Sequence, residues 1–523
     1  MAKNLYAIFF LLIMASVLSS QSISYDNTFN GDGKVIVDFS DEQAVFTDMA
    51  IQSDGKPVAV GYSDYDPDEV GSSKIWVVRL NPDGTYDQSF GIGGKVEIDQ
   101  PLSTDVAYSV MIQSDNKIII AGYSEIGNQM PKPTIYRLNT DGSLDTGYGI
   151  SGTGIVQLNI TAETIFDTDL QNDGKIVFSG YGTVPNARRM LVGRLNINGT
   201  LDTSFISPYG YGLYKSGTGN DDEYTGSGIK VQSDGKIVAS GTTTSGLWGS
   251  RATVVRLLSN GQPDLGFGAA GLGFWESPNT LQPQLYYSST LNIDKNGRII
   301  VSGGHWINNN DTEYAIFWVL ENGNIDLNSG DMGLTKIDLG GNLDDAETSF
   351  VLDDDAILVS GISNNNLGIL KIKPNGKELD SVFAANGIWL DTIGELGRVN
   401  KLIVYGDNIY ICGSYMPDSQ MPNNFDGFIF RLIAPGISAV KEACKNEKKY
   451  SIYPNPASST LTLIGDLSVV KKIEIINING VLRAEMFKTG SQVDLKNLEA
   501  GTYFIRLYYK NNIETHQFSV IKN

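Results

Sequence analysis

The chain of 523 residues is 41% hydrophobic and contains 58 Gly, 25 Tyr and 20 Phe, a composition that excludes a largely disordered protein. Its formal net charge is −20, and residues 21–433 hold 51 of the 59 acidic side chains but only 26 of the 39 basic ones. A body of that charge repels phosphate backbones, which argues against nucleic-acid binding. The two cysteines, Cys412 in an apolar run and Cys444 in a charged segment, do not suggest a disulfide framework.

Residues 1–20 have the pattern of a cleavable signal peptide. Lys3 precedes an apolar run over residues 6–14, and small residues follow up to Ser20. The run is shorter than the roughly 20 residues that a membrane-spanning helix needs, and no cysteine follows it as in a lipoprotein. We therefore predict export, cleavage before Gln21 and a mature chain without a transmembrane segment.

One phrase recurs between residues 25 and 433. A polar turn such as Asp54-Gly55 lies between two apolar runs, the second of which ends in glycine, and this pattern is typical of a β-hairpin. A third run such as 77–80 and a fourth such as 94–99 complete each cycle. The closing glycines, spaced by 61, 58, 61, 62, 58 and 52 residues, are Gly61, Gly122, Gly180, Gly241, Gly303, Gly361 and Gly413. Seven four-stranded cycles predict an all-β fold, a seven-bladed β-propeller, over an open solenoid.

The order of the runs predicts how the ring closes. The repeat begins with a Gly-Lys-Val strand at 33–39, which is the fourth strand of the other cycles, and stops after a third strand at 428–432. We therefore expect these two strands to pair and to complete the last blade. Closure removes the sheet edges that would otherwise promote aggregation.

These motifs resemble the delta-sixty family of propeller repeats. Its members share aspartate-glycine-lysine, an apolar run ending in glycine, and arginine-leucine-asparagine followed by aspartate-glycine. Cycles one to four carry the pattern most fully, whereas cycles five to seven lose the lysine or the turn glycine. The resemblance implies a propeller fold and no agreed biochemical activity.

Residues 434–449 break the repeat and are interpreted as a linker, and residues 450–523 have a β pattern of their own. This segment contains an Asn479-Gly480 hairpin turn and a sorting motif formed by Tyr453, Pro454, Asn455, Pro456, Gly501 and Tyr503. It resembles the type A C-terminal sorting domain of the type IX secretion system. The resemblance implies a small β-sandwich that the outer-membrane translocon recognises, usually removed afterwards, and a passenger that is secreted or attached to the cell surface.

Few residues suggest catalysis. His305 is the only histidine of the predicted propeller, and the residues around it form no nucleophile elbow, so we interpret it as a loop residue. The recurrent aspartates at Asp83 and Asp141 lie where a type I turn needs a short acceptor side chain. A histidine-rich zinc site is not indicated.

The loops after the second and fourth strands of a blade emerge at one end of the propeller, which we call the upper face. Acidic clusters are predicted in these loops at Asp64, Asp66, Asp68 and Glu69, at Asp221, Asp222 and Glu223, and at Asp344, Asp345 and Glu347. The spacing of Asp64, Asp66 and Asp68 is that of the start of a calcium loop, although its glycine and terminal glutamate are missing. Weak calcium binding and a solvated acidic loop are the two hypotheses for this cluster, and no other cofactor is expected.

Aromatic residues are predicted at the same face, namely Tyr62, Tyr123, Tyr181, Trp248, Trp306 and Tyr415. Exposed rings there can stack on sugars or contact a protein, whereas glycine-tyrosine pairs that belong to the repeat can instead pack between blades. The leading hypothesis is a non-enzymatic binding module for a glycan or protein ligand. The alternatives are a secreted propeller hydrolase acting on polysaccharide and a structural surface protein. Carboxylates that converge with a tryptophan over the central channel would favour the hydrolase.

Overall fold

The computed structural model divides the chain into two compact units, Met1–Glu442 and Ala443–Asn523. The described residues of the first unit are 23–37, 44–63, 73–127, 129–149, 152–184, 187–215, 223–245, 249–268, 273–277, 285–308, 311–340, 344–364, 366–392, 395–416 and 425–437. Those of the second unit are 451–453, 458–464, 470–477, 482–486, 492–509, 512–520 and 522. Within these ranges, no helix has the length and apolarity that a membrane span requires.

The first unit is built from antiparallel sheets of short strands. In chain order the strands are β1 (Ser24–Tyr25), β2 (Lys34–Val37), β3 (Ala44–Ile51), β4 (Pro57–Ser63), β5 (Lys74–Arg79), β6 (Lys95–Ile98), β7 (Ser103–Ile112), β8 (Ile118–Ile126), β9 (Lys132–Leu138), β10 (Ile155–Gln157), β11 (Thr164–Leu170), β12 (Ile176–Val184), β13 (Ala187–Leu195), β14 (Tyr211–Tyr214), β15 (Glu223–Val231), β16 (Ile237–Ser245), β17 (Gly249–Leu257), β18 (Phe274–Glu276), β19 (Leu285–Ile293), β20 (Ile299–Asn308), β21 (Asp311–Val319), β22 (Leu334–Ile337), β23 (Asp344–Val351), β24 (Ile357–Ser363), β25 (Asn366–Ile372), β26 (Ile388–Asp391), β27 (Glu395–Tyr405), β28 (Asn408–Met416) and β29 (Asp426–Ile433).

Apart from β1, a two-residue strand that also pairs with β29, the described strands of the first unit fall into seven four-stranded groups, which we number as blades. Blades 1 to 6 are β3–β6, β7–β10, β11–β14, β15–β18, β19–β22 and β23–β26, and blade 7 consists of β27, β28, β29 and β2. Blades 4 and 5 are also linked by a single parallel bridge between Ser250 and Leu285. Consecutive strands of a blade are neighbours in its sheet, so turns and loops alternate between the two ends of the propeller.

The N-terminal strand completes the last blade, as the order of the runs predicts. β2 pairs antiparallel with β29, with Lys34 opposite Phe430 and Val37 opposite Gly427. Blade 7 also bonds to blade 1, because the Tyr405 hydroxyl donates to the Ser53 carbonyl oxygen at 3.0 Å. The ring of blades is therefore closed.

The core lies between the sheets of neighbouring blades. One buried cluster joins Val60 and Ile75 of blade 1 to Ile120 and Tyr136 of blade 2, and similar clusters follow around the ring. The second and third strands are buried on both faces and therefore appear in the sequence as continuous apolar runs. Each fully buried aliphatic side chain stabilises the fold by roughly 1.5–3 kcal/mol.

A charged joint fixes each of the better-preserved blades to the next one, and blade 3 gives the clearest example. Arg194 donates through Nε to Asp202 at 2.7 Å, and its guanidinium lies 4.6 Å from the centre of the Phe205 ring. Its Nη1 atom reaches blade 4 and donates to the Ser259 carbonyl oxygen at 2.7 Å. Gly261 of the same turn lies against Phe205, and a Cβ at this position would stand 2.8 Å from the ring. The recurrent arginine, aspartate and turn glycine of the repeat are thus structural.

The same joint recurs around the described ring. The equivalent arginine-to-carbonyl bonds are Arg79 to Thr140, Arg137 to Ile197, Arg256 to Glu321, Arg298 to Pro374 and Arg431 to Pro82. The last of these bonds joins blade 7 to blade 1 and so contributes to closure of the ring.

The second unit is a two-sheet β structure, described here by itself. Its strands are β30 (Ser451–Tyr453), β31 (Thr460–Ile464), β32 (Val470–Asn477), β33 (Leu482–Met486), β34 (Gln492–Asp494), β35 (Gly501–Tyr509) and β36 (Asn512–Val520). One sheet has the order β30-β31-β34 and the other β33-β32-β35-β36. Leu461, Ile473 and Ile505 are buried in its separate core.

Candidate functional site

The first strand of each blade contains a β-bulge beside the closing glycine of the repeat. In blade 2, Ala107 faces Gly122 and Ser109 faces Ala121, so that Tyr108 is the extra residue. A Cβ on Gly122 would stand 1.9 Å from the carbonyl oxygen of Val106. The bulge therefore requires glycine at this position, which explains why each cycle closes with one.

The extra residue of the bulge reaches the first strand of the next blade. The Thr47 hydroxyl of blade 1 donates to the Ala107 carbonyl oxygen at 2.8 Å, and the Ser227 hydroxyl of blade 4 bonds to that of Ser288 at 2.9 Å. Among the described residues, neighbouring first strands share no backbone ladder, so side chains such as these connect them around the central axis.

Carboxylates make further connections of this kind. Asp48 Oδ2 accepts from the Val110 amide at 2.8 Å, and Asp167 Oδ2 accepts from the Ile229 amide at 2.8 Å. Lys401 Nζ lies 2.8 Å from Asp48 Oδ1, and this ion pair joins blade 7 to blade 1. These bonds hold the first strands in place and give Asp48 and Asp167 a structural role.

Five aromatic rings from blades 1 to 3 form a continuous surface that we call the aromatic arc. Its members in order are Tyr62, Tyr108, Phe166 and Tyr181, and Tyr123 packs beside Tyr108 as a side branch. Tyr108 is central, with ring centroids 6.5 Å from Tyr62, 6.2 Å from Tyr123 and 4.9 Å from Phe166. Phe166 in turn lies 5.8 Å from Tyr181. All the rings except the buried Tyr123 are partly exposed.

Three residues of the arc are predicted from the sequence as ligand-binding candidates, and two are not. Tyr62, Tyr123 and Tyr181 follow the closing glycines, and the structure brings them together. Tyr108 and Phe166 are bulge residues, and no simple periodicity identifies a bulge. Alignment of the cycles could have identified them, because Tyr108 and Phe166 occupy the bulge position at which other cycles have the small residues Thr47 and Ser227.

The other predicted aromatic residues lie elsewhere. Tyr415 packs against Phe428 of its own blade, with centroids 6.5 Å apart, and burial raises the pKa of its hydroxyl. Trp306 is a partly buried residue of β20 in blade 5, outside the arc. Trp248 and the predicted calcium ligands Asp64, Asp66 and Asp68 lie outside the described residues.

The interpretation of His305 as a loop residue is wrong. It is a buried residue of β20, with its Nδ1 atom 2.7 Å from Glu313 Oε1 and 3.0 Å from Lys336 Nζ. Burial lowers the pKa of His305, and the positive charge of Lys336 lowers it further. The hydrogen bond with Glu313 raises this pKa but does not outweigh burial. The Ser302–His305 stretch continues the strand because Gly303 and Gly304 pair with β21.

The acidic cluster at residues 344–347 is also in a strand rather than a loop. Asp344 begins β23, is buried and accepts from the Leu339 amide at 2.6 Å. Glu347 is the bulge residue of blade 6. Burial raises the pKa of Glu347 to about 6, although Arg398 favours the charged form, and Asp345 adds to the increase. Glu223 likewise begins β15.

The prediction that recurrent aspartates form turns is confirmed. Asp83 Oδ1 accepts from the Thr85 amide at 3.0 Å, and Asp141 Oδ1 accepts from the Ser143 amide at 2.9 Å. Across the described ranges, no group of three or more His, Cys, Asp or Glu side chains is arranged to hold a metal ion.

The predicted sorting motif falls partly within the described residues. Tyr453 ends β30 and Gly501 begins β35. Tyr503 is buried in the core of the second unit, and its hydroxyl donates to the Glu499 carbonyl oxygen at 3.1 Å. Pro454, Asn455 and Pro456 lie outside the described residues, as does the segment 1–22 with the predicted signal peptide.

Two protein families match parts of the chain. Residues 451–522 match the secretion system C-terminal sorting domain. Residues 52–90, 113–148, 171–205 and 232–267 match a β-propeller domain of unknown function. No curated protein shows a significant match to the chain.

The solved structures that the chain matches are distant in sequence. PorZ, described as an essential surface component of the type IX secretion system of Porphyromonas gingivalis, is 11% identical with a TM-score of 0.34, and the match covers 91% of this chain but only 59% of PorZ. A protein of unknown function from Dyadobacter fermentans is 11% identical with a TM-score of 0.38, covering 79% of this chain and 99% of that one. The WD40 propeller domain of Doa1 is 12% identical with a TM-score of 0.39, covering 76% and 97%.

At these identities and scores, the solved structures carry no argument about ligand or activity. The match over residues 451–522 does identify the route of export. The protein is thus a β-propeller with a type IX secretion system C-terminal sorting domain, and it is secreted or displayed at the cell surface.

Proposed function

We propose that the propeller is an extracellular binding module for a glycan and that the aromatic arc is its ligand surface. The observation that carries the proposal is the continuity of the arc. Four partly exposed rings from three blades contact one another in sequence, and the buried Tyr123 packs beside the second of them, Tyr108. The interblade core buries its aromatic rings, so a partly exposed chain of rings has a surface available to a ligand.

The geometry of the rings suits a chain of sugars. The planes of neighbouring rings meet at 71°, 63° and 32° along the row from Tyr62 to Tyr181, so the rings do not form a flat surface. A pyranose ring presents a face of C–H groups that packs on an aromatic ring, while its hydroxyl groups stay hydrated or bond to neighbouring polar groups. A curved row of rings can contact consecutive sugars in this way.

The hydrolase alternative needs carboxylates beside the bound sugar. The carboxylates described between the first strands, such as Asp48 and Asp167, already accept hydrogen bonds from backbone amides. Their positions follow from the need to connect the first strands, which favours a binding module over an enzyme.

The test compares the wild-type protein with Tyr108→Ala and Phe166→Ala on arrays of glycans and of proteins. A stacking ring contributes roughly 0.5–1.5 kcal/mol, so each variant should weaken glycan binding by about 2- to 13-fold. Tyr209→Ala is the matched control, because Tyr209 is 65% exposed in the connection between β13 and β14, at the end opposite the upper face. This variant should bind as the wild type does.

Thermal unfolding of each variant checks that the fold persists. If the wild type binds no glycan, or if both arc variants bind a retained glycan unchanged, the proposal fails. Loss of a protein ligand in the same two variants would replace the glycan with a protein partner.

A further inference from the structure

Arg188 adds a positive charge to one end of the aromatic arc. It lies near the start of β13 and faces Thr183 across the β12–β13 hairpin. Its guanidinium carbon is 4.8 Å from the centre of the Tyr181 ring, within range of a cation–π contact. Arg188 is exposed to solvent, unlike Arg194 on the same strand.

Arg188 and Arg194, two of the three arginines of this strand, have different surroundings. Arg194 is buried against Asp202 and belongs to the interblade joint. Within the described ranges, Arg188 has no ion pair with a carboxylate, and its guanidinium lies over the Tyr181 ring. The interblade joint accounts for Arg194 but not for an exposed arginine that lies over a ring of the arc.

We infer that the glycan bound by the arc contains a uronic acid and that Arg188 binds its carboxylate. This inference rests on the proposed glycan-binding function and specifies the ligand class. A guanidinium that stacks on an aromatic ring through its face keeps its N–H groups directed outward along its edge. Such an edge matches a planar carboxylate, which can accept two parallel hydrogen bonds.

One sugar can satisfy both groups. A pyranuronic acid carries its carboxylate on the same ring whose C–H face packs on an aromatic side chain. With that face on the arc beside Tyr181, the carboxylate can extend towards Arg188, since guanidinium and ring are 4.8 Å apart. A neutral hexose offers the same face but no anionic group.

The charge of the whole propeller limits which acidic glycans fit. Residues 21–433 carry 51 acidic and 26 basic side chains, so a densely charged polyanion is repelled over most of the surface. A glycan with uronic acids separated by neutral sugars avoids most of this repulsion. We therefore expect sparsely charged uronate glycans to bind more tightly than heavily sulfated ones.

The experiment uses the full-length protein on an array of neutral, uronate-bearing and sulfated oligosaccharides. Each uronate glycan that binds is measured again after chemical reduction of its carboxyl groups to alcohols. Arg188→Gln should weaken binding of the uronate form about tenfold and leave binding of the reduced form unchanged. Arg188→Lys should restore part of the affinity, because it keeps the charge without the paired N–H geometry.

Lys377→Gln is the matched control for charge. Lys377 is exposed in the turn after β25, at the end opposite the upper face, so its removal changes the net charge equally without touching the arc. It should leave all glycan affinities unchanged.

Each outcome decides the inference. Equal binding of the uronate and reduced forms, or an Arg188→Gln variant that binds both as the wild type does, overturns the inference and leaves glycan binding intact. Preference for sulfated glycans overturns the assignment to a carboxylate. A wild-type protein that binds no glycan overturns the proposed function and this inference together.

Discussion

Replacement of Asp202 by asparagine tests how much the interblade joint stabilises the ring. The Asp202 carboxylate accepts from Arg194 Nε at 2.7 Å, from Lys175 Nζ at 2.8 Å, and from the Ser204 amide and hydroxyl at 3.0 and 2.6 Å. Burial opposes its ionisation, but the hydrogen bonds of Lys175 and Ser204 outweigh this and hold the pKa of Asp202 below its usual value.

The magnitude follows from the bonds that an amide cannot make. Asparagine can keep the oxygen that faces Ser204, but its NH₂ group would then face the two cationic donors, Arg194 and Lys175. Two charge-assisted bonds are lost, each worth roughly 1.5–3 kcal/mol, and a buried guanidinium loses its counter-charge. We expect the free energy of unfolding to fall by about 3–5 kcal/mol.

The pH dependence has a definite sign. Because the folded-state pKa of Asp202 is below its unfolded value of about 3.9, its contribution is complete at neutral pH and is lost as the pH falls through the folded-state pKa. The destabilisation by Asp202→Asn should therefore be largest at pH 6–7 and should shrink on acidification.

Urea unfolding followed by tryptophan fluorescence measures the effect, because all 6 tryptophans lie before residue 434 and the signal reports only the propeller. Asp173→Asn is the control, since Asp173 is exposed in the same blade and accepts from the Lys175 amide at 3.1 Å, a bond that asparagine retains. It should change stability by less than about 0.5 kcal/mol. A loss below about 1 kcal/mol for Asp202→Asn, or equal effects of the two variants, would refute the reasoning.

Three further predictions concern the bulge, the buried acid and export. Gly122→Ala should destabilise the propeller by about 3 kcal/mol, because its Cβ would stand 1.9 Å from a backbone oxygen. Gly266→Ala should have a clearly smaller effect, because its Cβ would stand 3.3 Å from a side-chain oxygen. Equal urea midpoints for the two variants would contradict this. Glu347→Gln should stabilise the protein by about 1–2 kcal/mol at pH 8, because a folded-state pKa of about 6 makes the ionised form of Glu347 unfavourable in the fold. The gain in stability should vanish below about pH 4.5, where the carboxyl group is protonated in both states. A gain that does not depend on pH would contradict this prediction. Deletion of residues 450–523 should retain a folded propeller inside the cell envelope, because the two units have separate cores, and normal amounts of the truncated protein in the medium would disprove the export route.

The repeat allowed most of the fold to be predicted from the sequence. Turn residues and alternating apolar runs act locally, so the hairpins and their order follow from the sequence, and the pairing of β2 with β29 follows from that order. Strand boundaries near variable loops were less predictable. His305 and Asp344 are polar and lie next to such loops, yet backbone pairing extends the strands through both.

The interblade contacts could not be predicted, because they join residues about 60 positions apart. Blade 5 illustrates this point. Trp318 occupies the position of the recurrent arginine, and Arg298, the residue just before β20, supplies the cation instead. Arg298 Nε lies 2.6 Å from Asp294 Oδ2, and its guanidinium is 5.0 Å from the Trp318 ring. The eroded motif thus preserves the joint, although the sequence pattern alone suggests its loss.

The two ends of the blades differ in how strictly their residues recur, so one repeat can hold the ring together and still vary the surface that we propose binds a glycan. The joints of Arg194 and its equivalents lie at the end with the short turns, where residues must recur because each blade contacts the next in the same way. The aromatic arc lies towards the other end, where the bulge residue is Thr47 in one blade, Tyr108 in the next and Glu347 in another. Because the closing glycine and the bulge fix the backbone there whatever side chain is present, the bulge position can change its chemistry without disturbing the joints. For the proposed glycan-binding function, we therefore expect specificity to be set where the repeat is least regular, at Tyr108, Phe166 and Arg188.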